Sequence, residues 1–150
     1  MLYVTKKIEF SASHRLFNPT FTDTMNDEIF DKCNNFFGHG HNYVLEVTVA
    51  GLPDPQTGYV IDLKKLKRII KNDIIDKVDH KHLNYDVVCL KGIIPTAENL
   101  AVTFWRILED KITNGKLYKI RLFESDSSYV EYFGGEVEIP VYQNDGEQKI

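Results

Sequence analysis

The 150-residue chain is 43% hydrophobic, enough for one domain with its own core. A net charge of −4 and a pI near 5.7 argue against nucleic-acid or membrane-surface binding driven by global charge. The N-terminus has no apolar signal core, no apolar run is long enough to span a membrane, and Cys33 and Cys89 make no disulfide framework, so a cytoplasmic protein is expected.

Residues 2–14 alternate, with Leu2, Val4, Ile8, Phe10, Ala12 and His14 on one face, which predicts a long strand with one buried side. The segment 17–32 is polar and irregular, with a turn at Asn18-Pro19 and a short helix to Phe30 capped by Thr24. A second strand begins at His39-Gly40-His41. Residues two apart share a face, so both imidazoles join Tyr43, Leu45, Val47 and Val49 on its apolar side. Asp62 reads as the N-cap of a helix buried through Leu63, Leu66, Ile69, Ile70, Ile74 and Val78. Lys64, Lys65, Lys67 and Arg68 near its start read as a solvated face, with an anionic ligand as the alternative.

A second helix follows Pro95, with Thr96 as N-cap, burying Leu100, Ala101, Phe104, Trp105, Leu108 and Ile112 and stopping at Asn114-Gly115. Residues 117–124 form a strand with Tyr118, Ile120, Leu122 and Glu124 on one face, and 129–133 form its partner. Residues 137–141 suggest a short edge strand. The expected organisation is one α+β domain over 1–142, in ββααββ order, with a polar tail over 143–150.

His14 ends one apolar face as His39 and His41 begin the other, so the three can converge on a metal. Three neutral imidazoles suit Zn²⁺ and leave a fourth position open, as in catalytic sites. Cys33 is either a fourth ligand closing that site, a thiolate base beside the metal, or an inert buried thiol. Cys89 has no comparable neighbours. Asp79-His80 offers an acid–base pair that works only in a turn, and His82 is the alternative working imidazole. Glu124 ends an apolar face, where it needs either an arginine partner (Arg15 or Arg121) or a ligand with paired N–H donors.

These residues carry a close resemblance to the 6-pyruvoyl tetrahydropterin synthase family. The matches run in order from Phe10 to Gly135: FSASHRL, CNN with GHGHNY, DPQTG, DHKHL, TAENLAV, LYKI and Glu124. One departure is Ala97, where the animal enzymes usually repeat threonine. The resemblance implies a T-fold: a four-stranded antiparallel sheet with two helices on one face, trimerising into a barrel and stacking into a homohexamer. It implies Zn²⁺ on His14, His39 and His41 and Cys33 as the proton-abstracting base. It further implies that Asp79 and His80 complete the catalytic set across a subunit boundary, that Glu124 anchors the pterin and has a relay role in catalysis, and that Thr96 and Glu98 line the same pocket.

The implied reaction is conversion of 7,8-dihydroneopterin triphosphate to 6-pyruvoyl tetrahydropterin with loss of triphosphate, a lyase reaction in tetrahydrobiopterin biosynthesis. A rival is the related 6-carboxy-tetrahydropterin synthase of deazaguanine biosynthesis, whose members typically have three residues between the cysteine and HGH. Here Asn34 to Gly38 make five. A more distant alternative is a non-enzymatic module stabilised by zinc, which Asp79, His80 and Glu124 disfavour because a structural metal site needs none of them.

Overall fold

In the computed structural model, which describes residues 1–143, the N-terminal alternation becomes strand β1 (Leu2–His14). β1 pairs antiparallel with β2 (His39–Gly51) along its whole length, from Leu2 opposite Gly51 to His14 opposite His39. A slip of one residue would turn every apolar side chain of β2 to the other face, so burial of Tyr43, Leu45, Val47 and Val49 fixes this register. β4 (Lys116–Ser125) joins the other edge of β2, and β5 (Ser128–Tyr132) follows it.

The expected antiparallel four-stranded sheet is therefore present, and it carries a fifth strand. β3 (Lys81–His82) runs parallel to β1 at Ala12 and Ser13, giving the order β3-β1-β2-β4-β5. Two residues have no readable period. Main-chain bonds from His80 N to Ser11 O (2.6 Å) and Leu83 N to Ser13 O (2.8 Å) make the pairing.

Two helical segments cover the apolar face. α2 (Leu63–Ile70), capped by Asp62, continues through a π-helical turn (Lys71–Ile75) into α3 (Asp76–Val78). Leu66, Ile70, Ile74 and Val78 recur every four residues, more than the 3.6 of an α-helical turn, and the wider π turn takes up the excess. Leu63, expected in the core, is exposed at the first turn, and Lys64, Lys67 and Arg68 face solvent. α4 (Ala97–Leu108) starts at the Thr96 cap, whose hydroxyl accepts from Asn99 N, and packs Leu100, Phe104 and Leu108 onto Phe10, Leu45 and Ile120 in one core.

Four details differ from the sequence reading. The short helix α1 (Asp23–Phe30) is capped by Thr22, which accepts from Met25 N and leaves Asp23 in the first turn, where the helix dipole favours a carboxylate. α4 ends at Leu108; Ile112 is buried by a turn beyond it, and Asn114-Gly115 leads into β4 instead. A bulge opposite Thr48 and Val49 turns Tyr118 outward and puts Leu117 in the core with Ile120 and Leu122. Residues 137–141 form no strand, and the tail from residue 144 lies outside the described residues.

Candidate active site

The end of β1 and the start of β2 bring His14, His39 and His41 together, with one nitrogen from each within 4.8 Å of the others. His14 Nε2 and His39 Nε2 lie 3.1 Å apart. Tetrahedral metal sites with bonds of about 2.0–2.1 Å hold their ligands roughly 3.3 Å apart, so the spacing suits a shared cation. His14 is fully buried, and its Nδ1–H donates to the Pro95 carbonyl at 2.8 Å. That bond fixes the tautomer and leaves the Nε2 lone pair facing the cluster. The Tyr43 hydroxyl lies 3.3 Å from the same Nδ1.

Electrostatics favour the uncharged rings of His14 and His39. Burial lowers the His14 pKa to about 4, against the opposing pull of the Pro95 carbonyl, and burial with the neighbouring His41 also lowers that of His39. Burial pushes the Tyr43 hydroxyl far up, so it remains a neutral hydrogen-bonding group. His39 Nδ1 and His41 Nε2 are buried polar atoms without a hydrogen-bond partner among the described residues. Inward-facing and partly unsatisfied imidazoles are the chemistry of a metal site. The three histidines are thus positioned to bind a metal.

An open cleft of about 1170 Å³ lies beside them, with His39, His41 and Cys33 in its wall. Cys33 is half-buried on a 3₁₀ turn (Asp31–Asn34) that its carbonyl ties to Leu16 N at 2.8 Å. It stands outside the three-histidine group. Asn34 braces the turn: it receives Arg15 Nε at 3.1 Å on its main-chain and side-chain oxygens and donates to Asp27 at 2.8 Å. The Arg15 guanidinium lies 4.3 Å from the Phe17 ring centroid and 5.1 Å from that of Phe36. Sequence reading missed the roles of Pro95, Asn34 and this aromatic pair, because a carbonyl or a stacked arginine has no residue-type signature.

Asp79 and His80 occupy the turn their pairing requires. His80 has φ 59°, its Nδ1 lies 3.0 Å from Asp79 Oδ1, and that oxygen also accepts from Ser11 N at 2.9 Å. The His80 side chain is 81% exposed and lines a second depression with Ser11, Gly40, His41, Asn42 and His82; this depression shares His41 with the Cys33 cleft, but His80 itself does not line that cleft. His82 points inward instead and stacks on Tyr85 at 4.3 Å. Glu124 sits 3.6 Å from His41 Nε2. Neither candidate arginine partners it: Arg121 pairs with Glu46 and Glu131, and Arg15 is taken by Asn34. Thr96 caps α4 and Glu98 is exposed on its first turn, and neither lines the cleft.

A helix-backed antiparallel sheet with three imidazoles gathered where two strands meet defines a T-fold protein with a candidate metal centre. The family model described as 6-pyruvoyl tetrahydropterin synthase matches residues 3–135. The human 6-pyruvoyl tetrahydrobiopterin synthase is 44% identical over 87% of this chain and 90% of its own. The solved 6-pyruvoyl tetrahydropterin synthase of Caenorhabditis elegans superposes with a TM-score of 0.85 at 38% identity, over 89% of this chain and 96% of that one. A 6-carboxy-5,6,7,8-tetrahydropterin synthase of Rickettsia bellii is 29% identical over 87% of this chain and 99% of its own. This chain belongs to the 6-pyruvoyl tetrahydropterin synthase family.

Proposed function

We propose that the chain is a lyase that converts 7,8-dihydroneopterin triphosphate to 6-pyruvoyl tetrahydropterin with release of triphosphate, using Zn²⁺ held by His14, His39 and His41. The observation that carries this reading is a cysteine on the wall of the same cleft as His39 and His41, outside the three-histidine ligand group. Zinc bound there would polarise the substrate's side-chain oxygens and acidify the adjacent C–H. Cys33 takes that proton as the base. Glu124 receives the paired N–H donors of the pterin edge. Asp79 orients the His80 imidazole toward a neighbouring subunit's cleft, where it completes the acid–base set.

The outward aim of His80 supports an assembly with shared sites, which we take to be a homohexamer. No helix among the described residues is long and apolar enough to cross a membrane. A cytoplasmic setting suits an enzyme that depends on a free thiol.

Mass spectrometry of the product from 7,8-dihydroneopterin triphosphate tests the reaction. The expected product is 6-pyruvoyl tetrahydropterin; 6-carboxy-tetrahydropterin would assign the chain to the rival activity instead. Mixing inactive Cys33→Ala and His80→Ala proteins tests the shared site. Hybrid oligomers should recover part of the activity, and no recovery in demonstrably mixed oligomers would place the whole set within one chain.

A further inference from the structure

Past residue 135, where the family match ends, the chain runs back as a strap toward the cleft. The Tyr132 hydroxyl donates to Gly135 O at 2.7 Å, Arg106 Nη2 donates to Val137 O, and Gly134 lies against the Trp105 ring, where no Cβ would fit. The strap leads to Tyr142, which touches two loops at once. Its hydroxyl accepts from Asn18 Nδ2 at 3.2 Å, and its N–H donates to Gly92 O at 2.8 Å. Gly92 has φ +77°, and a Cβ there would collide with the Tyr142 carbonyl.

Each contact leads to the site. Asn18 is buried in the loop whose Phe17, Pro19 and Phe21 line the cleft. It exchanges hydrogen bonds with Asn26, from Asn18 N to Asn26 Oδ1 (2.8 Å) and from Asn26 Nδ2 to Asn18 O (3.0 Å). Its Oδ1 is taken by Thr20 N and Oγ1, so its amide nitrogen is left for Tyr142. On the other side, Gly92 opens the short loop ending at Pro95, whose carbonyl holds His14 Nδ1 at 2.8 Å. Asn99 Nδ2 ties the middle of that loop, Ile94 O, to α4 at 2.9 Å.

We propose that Tyr142 is a positioning residue for this cleft: its hydroxyl fixes the Asn18 wall loop, and its main chain fixes the loop that presents Pro95 to His14. The wall sets how well substrate is held. The Pro95 loop sets how well His14 is aimed, and such outer partners of a metal ligand are worth about 10–100-fold in metal affinity. The kinetic part rests on the reaction proposed above; the metal and labelling parts do not.

The test uses the full chain with two changes, Tyr142→Phe and Tyr142→Pro. Tyr142→Phe removes only the hydroxyl. KM for 7,8-dihydroneopterin triphosphate should rise about 3–10-fold, the size of one net hydrogen bond, with kcat and Co²⁺ affinity little changed. In a Cys89→Ser background, thiol-reagent labelling of Cys33 should speed up by a similar factor. Tyr142→Pro also removes the N–H given to Gly92, and its Co²⁺ affinity should fall by about tenfold, with Gly92→Ala giving the same result. A lower thermal midpoint with unchanged KM, labelling rate and Co²⁺ affinity would make the strap a mere stabiliser and overturn the proposal. If the unaltered protein fails to turn over, the proposed reaction is lost, while labelling and Co²⁺ affinity still decide the role of Tyr142.

Discussion

His14 and His80 present the same ring in opposite settings. His14 is fully buried, bonded to a main-chain carbonyl and aimed inward at two other imidazoles. His80 is aimed outward from a left-handed turn, 3.0 Å from one carboxylate oxygen and surrounded largely by solvent. A buried imidazole is set by the packing of a single chain. An exposed one with a dedicated orienting partner is ready for something the single chain does not supply. In our reading His14 is finished by folding and His80 by assembly.

That contrast can be broken most sharply at His14. His14→Ala should leave almost no zinc on the chain after dialysis, measured by atomic absorption, and abolish turnover. His80→Ala should keep its zinc. Equal zinc loss in both would erase the distinction. Cys33→Ala comes next: zinc and pterin binding should survive while kcat falls about 10²–10⁴-fold, the usual contribution of a positioned base. Loss of zinc in that variant would make Cys33 a ligand.

A smaller effect should appear in the stability of the metal-free protein. His14 has a pKa near 4 in the fold against 6.5 for a free imidazole, so between those values the unfolded chain binds more protons. His14 should therefore cost no stability above about pH 6.5 and progressively more as pH falls toward 4, by about 2–3 kcal/mol in all. Denaturant melts of wild type and His14→Gln at pH 7 and pH 4.5 isolate that slope. A pH-independent difference would mean that the ring is not held neutral by burial. The smallest change is expected from His80→Gly. Glycine accepts φ 59° readily, so folding stability should hold or rise slightly, within about 1 kcal/mol, while turnover falls. A destabilised His80→Gly protein would give His80 a folding role.

Relatives within the family sharpen the chemical question without closing it, because the 6-pyruvoyl and 6-carboxy synthases both align over most of the chain. Product analysis separates them. The strap that ends at Tyr142 lies beyond the family match and offers a handle on the cleft independent of that choice.

Period-two alternation was enough to identify β1 and β2 and to put His14, His39 and His41 on apolar faces, since a strand's geometry maps sequence parity directly onto side. The Asp62 and Thr96 caps were legible for a similar reason: capping is local chemistry within three residues. Contacts across long sequence separations were not legible. Only the tertiary structure set Pro95 against His14, Asn34 against Arg15 and Tyr142 against Asn18 and Gly92. Nor could the sequence show β3, whose two residues become a strand only because the edge of β1 is there to pair with them. Local periodicity fixes which way a side chain faces; what it meets there depends on how distant segments pack.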